Sequence, residues 1–164
     1  MNIKIKKHYL YYKGYKLKCA IGKSGIKSNK KEGDLSTPKG VYKISTLYYR
    51  KDKIKKFKCK IKKRIIKKNM GWCDDTRSSK YNQEITFPYN YYSSENLYRN
   101  DRKYDLLFDI GYNTRPIIKG KGSAIFLHLS NKKYKPTKGC IAILKKDFLK
   151  ILPLIKKNTK ILIS

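Results

Sequence analysis

Acidic residues are what this sequence has least of: eleven Asp and Glu stand against forty-two Lys and Arg in 164 residues, a formal net charge of +31. That imbalance excludes a surface indifferent to polyanions, whose attraction reaches over a Debye length and weakens with salt. There are two histidines, His8 and His128, and four dispersed cysteines, Cys19, Cys59, Cys73 and Cys140, with no CxxC pair among them. A zinc ribbon is thereby excluded, a Cys/His cage is short of ligands, and neither metal nor cofactor is implied. No apolar run approaches a membrane span. Met1 to Lys18 alternates Ile and Lys without the continuous apolar segment of a signal peptide, so the chain is cytoplasmic, a mature form, or exported by a route the sequence hides. Repeats and Gly/Ser linkers are also missing, and the length predicts one domain over residues 1–164.

What is present is a usable core: 40% of residues are apolar, and fifteen tyrosines favour sheet over helix. The positive charge admits three readings. Phosphate neutralisation on nucleic acid needs no particular fold. An anionic wall polymer would be drawn by the same physics. The excess is almost all Lys rather than the Arg that grips phosphate bidentately, and it travels with Ile, Asn and Tyr, as AT-biased coding would give. Charge alone decides nothing.

Along the chain, Ile3-Lys4-Ile5 alternates as a strand, and Leu17, Cys19 and Ile21 predict another that ends at Gly22. Residues 22–40 read as loop, punctuated by Gly22, Gly25, Gly33, Thr37-Pro38 and Gly40. Val41 to Ile44 resumes a strand. The basic run 51–68 places Phe57, Cys59 and Ile61 at period two, which predicts a half-exposed strand with a lysine outer face. Met70 to Tyr92 reads as irregular. Tyr104 to Ile110 predicts a strand with Leu106, Phe108 and Ile110 on one face, and Phe148, Ile151 and Leu152 predict a short helix stopped at Pro153. The class is mainly β, a sandwich or curled sheet with one or two short helices.

The segment 122–144 carries the chemistry. Ala124, Phe126 and His128 share one strand face, and Cys140, Ala142 and Leu144 share one face of the next. If the two strands pair antiparallel across the loop from Ser130 to Gly139, His128 and Cys140 meet at the ordinary cross-strand distance, about 4.5–5.5 Å between Cβ atoms. A thiol of pKa near 8.5 beside an imidazole is drawn into an ion pair and becomes a nucleophile, and the imidazole returns the proton to the leaving amine. Gly139 permits a tight turn, and amides around Cys140 can face an oxyanion. No carboxylate lies close in sequence to orient His128; a backbone carbonyl near Leu129 is the substitute.

His128 followed by Thr137-Lys138-Gly139-Cys140-Ile141 resembles the signature of the L,D-transpeptidase catalytic domain, the YkuD family. Further landmarks are Lys31-Glu32-Gly33-Asp34, Thr37-Pro38-Lys39-Gly40, Gly71-Trp72-Cys73-Asp74-Asp75, Tyr81-Asn82, Tyr104-Asp105, Gly111-Tyr112-Asn113 and Gly122 to His128. The resemblance implies the family's curled β-sandwich. It implies that Cys140 attacks a peptidoglycan stem peptide to form a thioester, with His128 as base and Gly139 with Cys140 framing the oxyanion hole. The terminal D-alanine of a tetrapeptide stem leaves, and an amine on a neighbouring stem accepts the acyl group; water as acceptor gives carboxypeptidase or amidase-type hydrolysis. It also implies a place in the cell envelope or periplasm. Trp72, Asp74, Phe126 and Lys138 are the candidate substrate contacts, with Trp72 and the acidic pair read either as a rim for the stem peptide or as a buried anchor for a loop. The sequence departs from the better-studied pattern at Lys138, where those members have His, and at Ala142, where they have Arg or Asn. These departures bear on acceptor choice. A nucleic-acid-binding protein on a dead fold is the contrasting reading, and an intact nucleophile paired with an intact base argues against it.

Overall fold

The computed structural model describes residues 1–89 and 93–164. In chain order its first strands are β1 (Ile3–Lys6), β2 (Tyr9–Tyr12), β3 (Tyr15–Lys18), β4 (Ile26–Lys27), β5 (Thr37–Pro38), β6 (Gly40–Lys43), β7 (Thr46–Tyr49) and β8 (Lys62–Ile65). Then come β9 (Met70–Cys73), β10 (Glu84–Thr86), β11 (Ser94–Asn96), β12 (Leu106–Asp109), β13 (Phe126–Ser130), β14 (Ile141–Leu144), the helix α1 (Lys145–Ile151), a 3₁₀ turn over Leu152–Leu154, and β15 (Lys160–Ile163).

Alternation decides the layers. One five-stranded sheet runs β3-β2-β1-β15-β6 and a second runs β14-β13-β12-β7-β8. The inward residues of the first (Ile3, Ile5, Leu10, Leu17, Ile161, Ile163) share one core with Leu106, Phe108, Leu127, Leu129, Ile141 and Ile143 of the second. Each such side chain contributes roughly 1.5–3 kcal/mol by leaving water. The helix α1 closes this core, with Phe108 stacked on Phe148 at 4.9 Å. Asp147 in its first turn and Lys150 in its last complement the helix dipole. The other face of the second sheet carries Leu107, Phe126 and Cys140, which share a second core with Met70 and Trp72 of the small sheet β10-β9-β11. The expected mainly β, curled sandwich is what the chain adopts.

Several local expectations are corrected. The second predicted strand stops at Lys18, and Ala20 instead makes a single bridge to Ala142. In the basic run only Lys62–Ile65 is strand, exposed at all four positions as an edge beside β7. Phe57 and Cys59 pack half-buried outside any strand, because a packed irregular segment can mimic period two over a few residues. The stretch expected to be irregular from Met70 contains β9, buried throughout, and β10; Tyr92, at its far end, lies outside the described residues. A fully buried strand shows no alternation, so its Gly and Asp neighbours dominated the reading.

The largest correction concerns the reacting pair. The strands β13 and β14 run parallel, with Leu127 opposite Ile141 and His128 opposite Ala142. The segment 131–140 is therefore a crossover, pinned by Thr137 N–H to Ile21 O (2.9 Å) and Lys23 N–H to Thr137 O (2.9 Å). Alternation fixes which face a residue takes but not strand direction, so the shared face survives while the direct pairing does not.

Candidate active site

Parallel register sets Phe126 across from Cys140 and displaces His128 one pleat along, so His128 and Cys140 lie diagonally on the same face. Both line an open cleft of about 1830 Å³, together with Glu95, Tyr104, Asp74 and Lys138. Gly139 has φ +141°, and a Cβ there would lie 2.8 Å from the Ser36 carbonyl oxygen, so the turn into Cys140 needs glycine. Its amide donates to Thr137 Oγ1 (3.1 Å), and its carbonyl accepts from Thr37 Oγ1 (2.8 Å).

The thiol is held by backbone: Cys140 Sγ donates to Ala124 O (3.1 Å) and accepts from Phe126 N (3.4 Å). Burial pushes it up to about 12, with the Glu95 charge adding to the rise; the Phe126 amide, the Lys30 charge and the Tyr104 hydroxyl oppose it. His128 is buried, and burial pushes its imidazole down to about 4, reinforced by the positive charges of Lys103 and Arg99 and resisted by the Leu129 carbonyl. Its Nδ1 lies 2.9 Å from that carbonyl, which keeps the proton on Nδ1 and leaves Nε2 as a base. Both shifts run against the expected ion pair and favour a neutral thiol beside a neutral imidazole, because the low-dielectric site penalises both charges.

That burial has a consequence for folding. Between pH 4 and 6.5 the unfolded chain takes up a proton on this imidazole and the folded chain does not, so stability rises with pH across that window. Chemical denaturation should show up to roughly 3 kcal/mol lost on acidification through it, a slope reduced in His128→Gln.

The ring of Tyr104 packs edge-on against His128 (5.3 Å) and Phe126 (5.9 Å), and its hydroxyl donates to Glu95 Oε1 (2.6 Å). Burial holds the Glu95 carboxyl above its ordinary range, against the favourable Tyr104 hydrogen bond and the Arg99 charge. Beneath the cleft, Asn82 is a hub: its Oδ1 accepts from Trp72 Nε1 (3.0 Å) and Ala124 N (3.0 Å), while its Nδ2 donates to the carbonyls of Tyr112 (3.0 Å) and Asn113 (2.7 Å). Tyr81 and Ser123 both donate to Glu32 Oε2 (2.5 and 2.7 Å). Residues far apart in sequence thereby fix the backbone around Ala124, whose carbonyl accepts the hydrogen bond of the thiol.

Of the candidate substrate contacts, Asp74 and the exposed Lys138 line the cleft. Trp72 does not form a rim: it is buried, edge-on to Phe126 at 5.1 Å and to Tyr48 at 6.3 Å. Phe126 is likewise buried, 1% exposed, and supports the site from below. A large aromatic beside acids reads equally as rim or anchor until the strand beneath it is known. His8 is exposed, Cys19 and Cys73 are buried, and all four cysteines are free.

Sequence reasoning missed Lys30. It is buried, 4% exposed, with Nζ on Asp34 Oδ1 (2.8 Å) and on the Lys31 carbonyl (3.3 Å). Its methylenes fill the space beside Gly122, and Nζ lies 3.5 Å from where a Gly139 Cβ would stand. Although burial pushes the Asp34 carboxyl upward, Lys30, the amides of Lys31 and Ser36 and the Ser36 hydroxyl together hold it well below the usual range. One lysine among so many carries no signal of its own in the sequence.

A mainly β scaffold thus presents Cys140 and His128 on a shared sheet face that lines an open cleft. The chain matches the L,D-transpeptidase catalytic domain family (YkuD) over residues 2–163, and it belongs to that family. A comparison with curated proteins finds no match. Among the described residues no helix is long and apolar enough to cross a membrane, and no cluster of three or more His, Cys, Asp or Glu could hold a metal.

Proposed function

We propose that this protein is a peptidoglycan L,D-transpeptidase that works through a thioester on Cys140, with His128 as its base, in the cell envelope. The observation that carries the reading is the shared-face placement of His128 and Cys140 in a cleft of a chain that belongs to this family. Because the resting pair is neutral, the thiol proton passes to His128 Nε2 as Sγ bonds to the stem-peptide carbonyl carbon. The tetrahedral oxyanion is met by the Cys140 amide; the Gly139 amide is already given to Thr137. Collapse breaks the C–N bond, and His128 gives its proton to the departing D-alanine amine. An acceptor amine then attacks the thioester, its proton passes to His128, and the thiol is restored. Tyr104, tied to Glu95, steadies the imidazole ring from the side. Lys30, held by Asp34, is a positioning residue whose fixed charge behind Gly139 favours both thiolate and oxyanion. Asp74 and Glu95 supply negative charge to the cleft for a cationic acceptor amine, and Lys138 stands at its rim.

The test is a tetrapeptide stem donor incubated with and without a diamino-acid stem acceptor, read by mass. Crosslinked product with the acceptor, absent for Cys140→Ala, is expected. D-alanine release without crosslink reassigns the enzyme as a carboxypeptidase, and no release under either condition sinks the reading.

A further inference from the structure

The outer face of the sheet β3-β2-β1-β15-β6 lies on the far side of the second sheet from Cys140, and its composition is unlike that of the cleft. The registers align its outward-facing residues into rows. Lys16, Tyr11, Lys4, Leu162 and Val41 follow one another across all five strands, and Lys18, Tyr9 and Lys6 form a second row beside them. A column of tyrosine on β2 is thus flanked by columns of lysine on β1 and β3, each about 4.8 Å away. Tyr9, Tyr11 and Val41 are 39%, 36% and 54% exposed, so the tyrosine rings and the valine side chain are presented to solvent beside the lysines. The two rings are 6.4 Å apart, and Lys16 Nζ sits over the Tyr9 ring at 4.6 Å.

The charge on this face is uncompensated. None of the eleven acidic residues falls on these five strands. Among the described residues, none of the ion pairs involves a residue of these five strands. Compositional bias alone would spread acids as well as lysines over every face, whereas five of the eleven acids line the cleft and none lies on this sheet.

We propose that this face docks the protein on the peptidoglycan mesh itself, lysines pairing with the free carboxylates of stem peptides and the tyrosines packing on the sugar rings of the glycan. The inference rests on the wall-enzyme reading and adds where the wall is gripped: opposite the cleft, so that docking leaves Cys140 open to a stem reaching from a neighbouring strand. Tyrosine supplies broad, rigid contact area at low entropic cost, and lysine supplies long-range attraction that fades with salt.

The test is co-sedimentation with isolated sacculi, in a Cys140→Ala background so that nothing turns over. The face variant is Lys4→Gln, Lys6→Gln, Lys16→Gln and Lys18→Gln combined. The control removes the same charge elsewhere, with Lys62→Gln, Lys63→Gln, Lys67→Gln and Lys68→Gln, all exposed positions. The expected result is binding that weakens from low to physiological salt, with the face variant at least about tenfold weaker than the control at equal melting temperature. Equal loss in the two variants, or a flat salt profile, overturns the proposal. So does a face variant that loses single-stranded DNA binding and keeps sacculi, which assigns the face to nucleic acid. With Cys140 restored, both variants should process a soluble tetrapeptide like the parent, so failure of the enzymatic reading would show there and not in the sedimentation.

Discussion

Incubated with a carbapenem, the wild-type protein should gain the mass of one drug molecule on Cys140, and Cys140→Ala should gain none. The drug presents a strained acyl donor to the cleft that holds the thiol. With burial pushing that thiol up to about 12, little thiolate exists beforehand at neutral pH, so acylation depends on proton removal during attack. Two consequences separate this site from an ordinary reactive cysteine. Alkylation of Cys140 by iodoacetamide, which the site does not orient, should be slower than that of an unburied thiol. His128→Ala should lower carbapenem acylation by about 10²–10⁴-fold, the usual worth of a positioned general base. The acid limb of the acylation profile should lie near pH 4, where the imidazole protonates, rather than near 6.5. An adduct on Cys140→Ala, or none on the wild type, would remove Cys140 from the role assigned to it.

Much of this site was legible because alternation is a strong constraint. Ala124, Phe126 and His128 had to share a face, and Cys140 with Ala142 had to share another; the Leu129 carbonyl as partner of His128 followed from the lack of a nearby acid. Strand direction was not legible, since a parallel pair and an antiparallel pair bury the same residues. Nor were the roles of the scattered landmarks. Tyr81-Asn82, Tyr112-Asn113 and Ser123-Ala124 look like loop punctuation one at a time, and only folding brings them together as the hydrogen-bonded bed beneath Cys140. The strand β9 escaped because burial on both faces erases the periodicity that betrays a strand. Lys30 escaped for the opposite reason: its surroundings in sequence, Ser28-Asn29 and Lys31-Glu32, read as solvated loop.

Replacing Lys30 is the change outside the reacting pair with the largest expected effect on rate. A buried ammonium is costly unless it is paired, and Asp34 at 2.8 Å supplies the pair. The charge then sits against Gly139, beside the thiol that the proposed reaction would turn into a thiolate. At an effective dielectric near 20, a unit charge several ångströms away is worth roughly 2 kcal/mol, or about 30-fold in rate. Lys30→Met should therefore slow carbapenem acylation by about that factor while leaving the drug's reversible binding unchanged. The single variant also strands the Asp34 carboxylate, so lost stability alone would be ambiguous. The double variant Lys30→Met/Asp34→Asn removes both charges and should recover melting temperature while acylation stays slow, and the pH needed for half-maximal alkylation of Cys140 should stay above that of the wild type. A double variant that acylates at the wild-type rate would reduce Lys30 to packing between Gly122 and Gly139. A slow, stable double variant fixes its charge as part of what makes a buried thiol reactive.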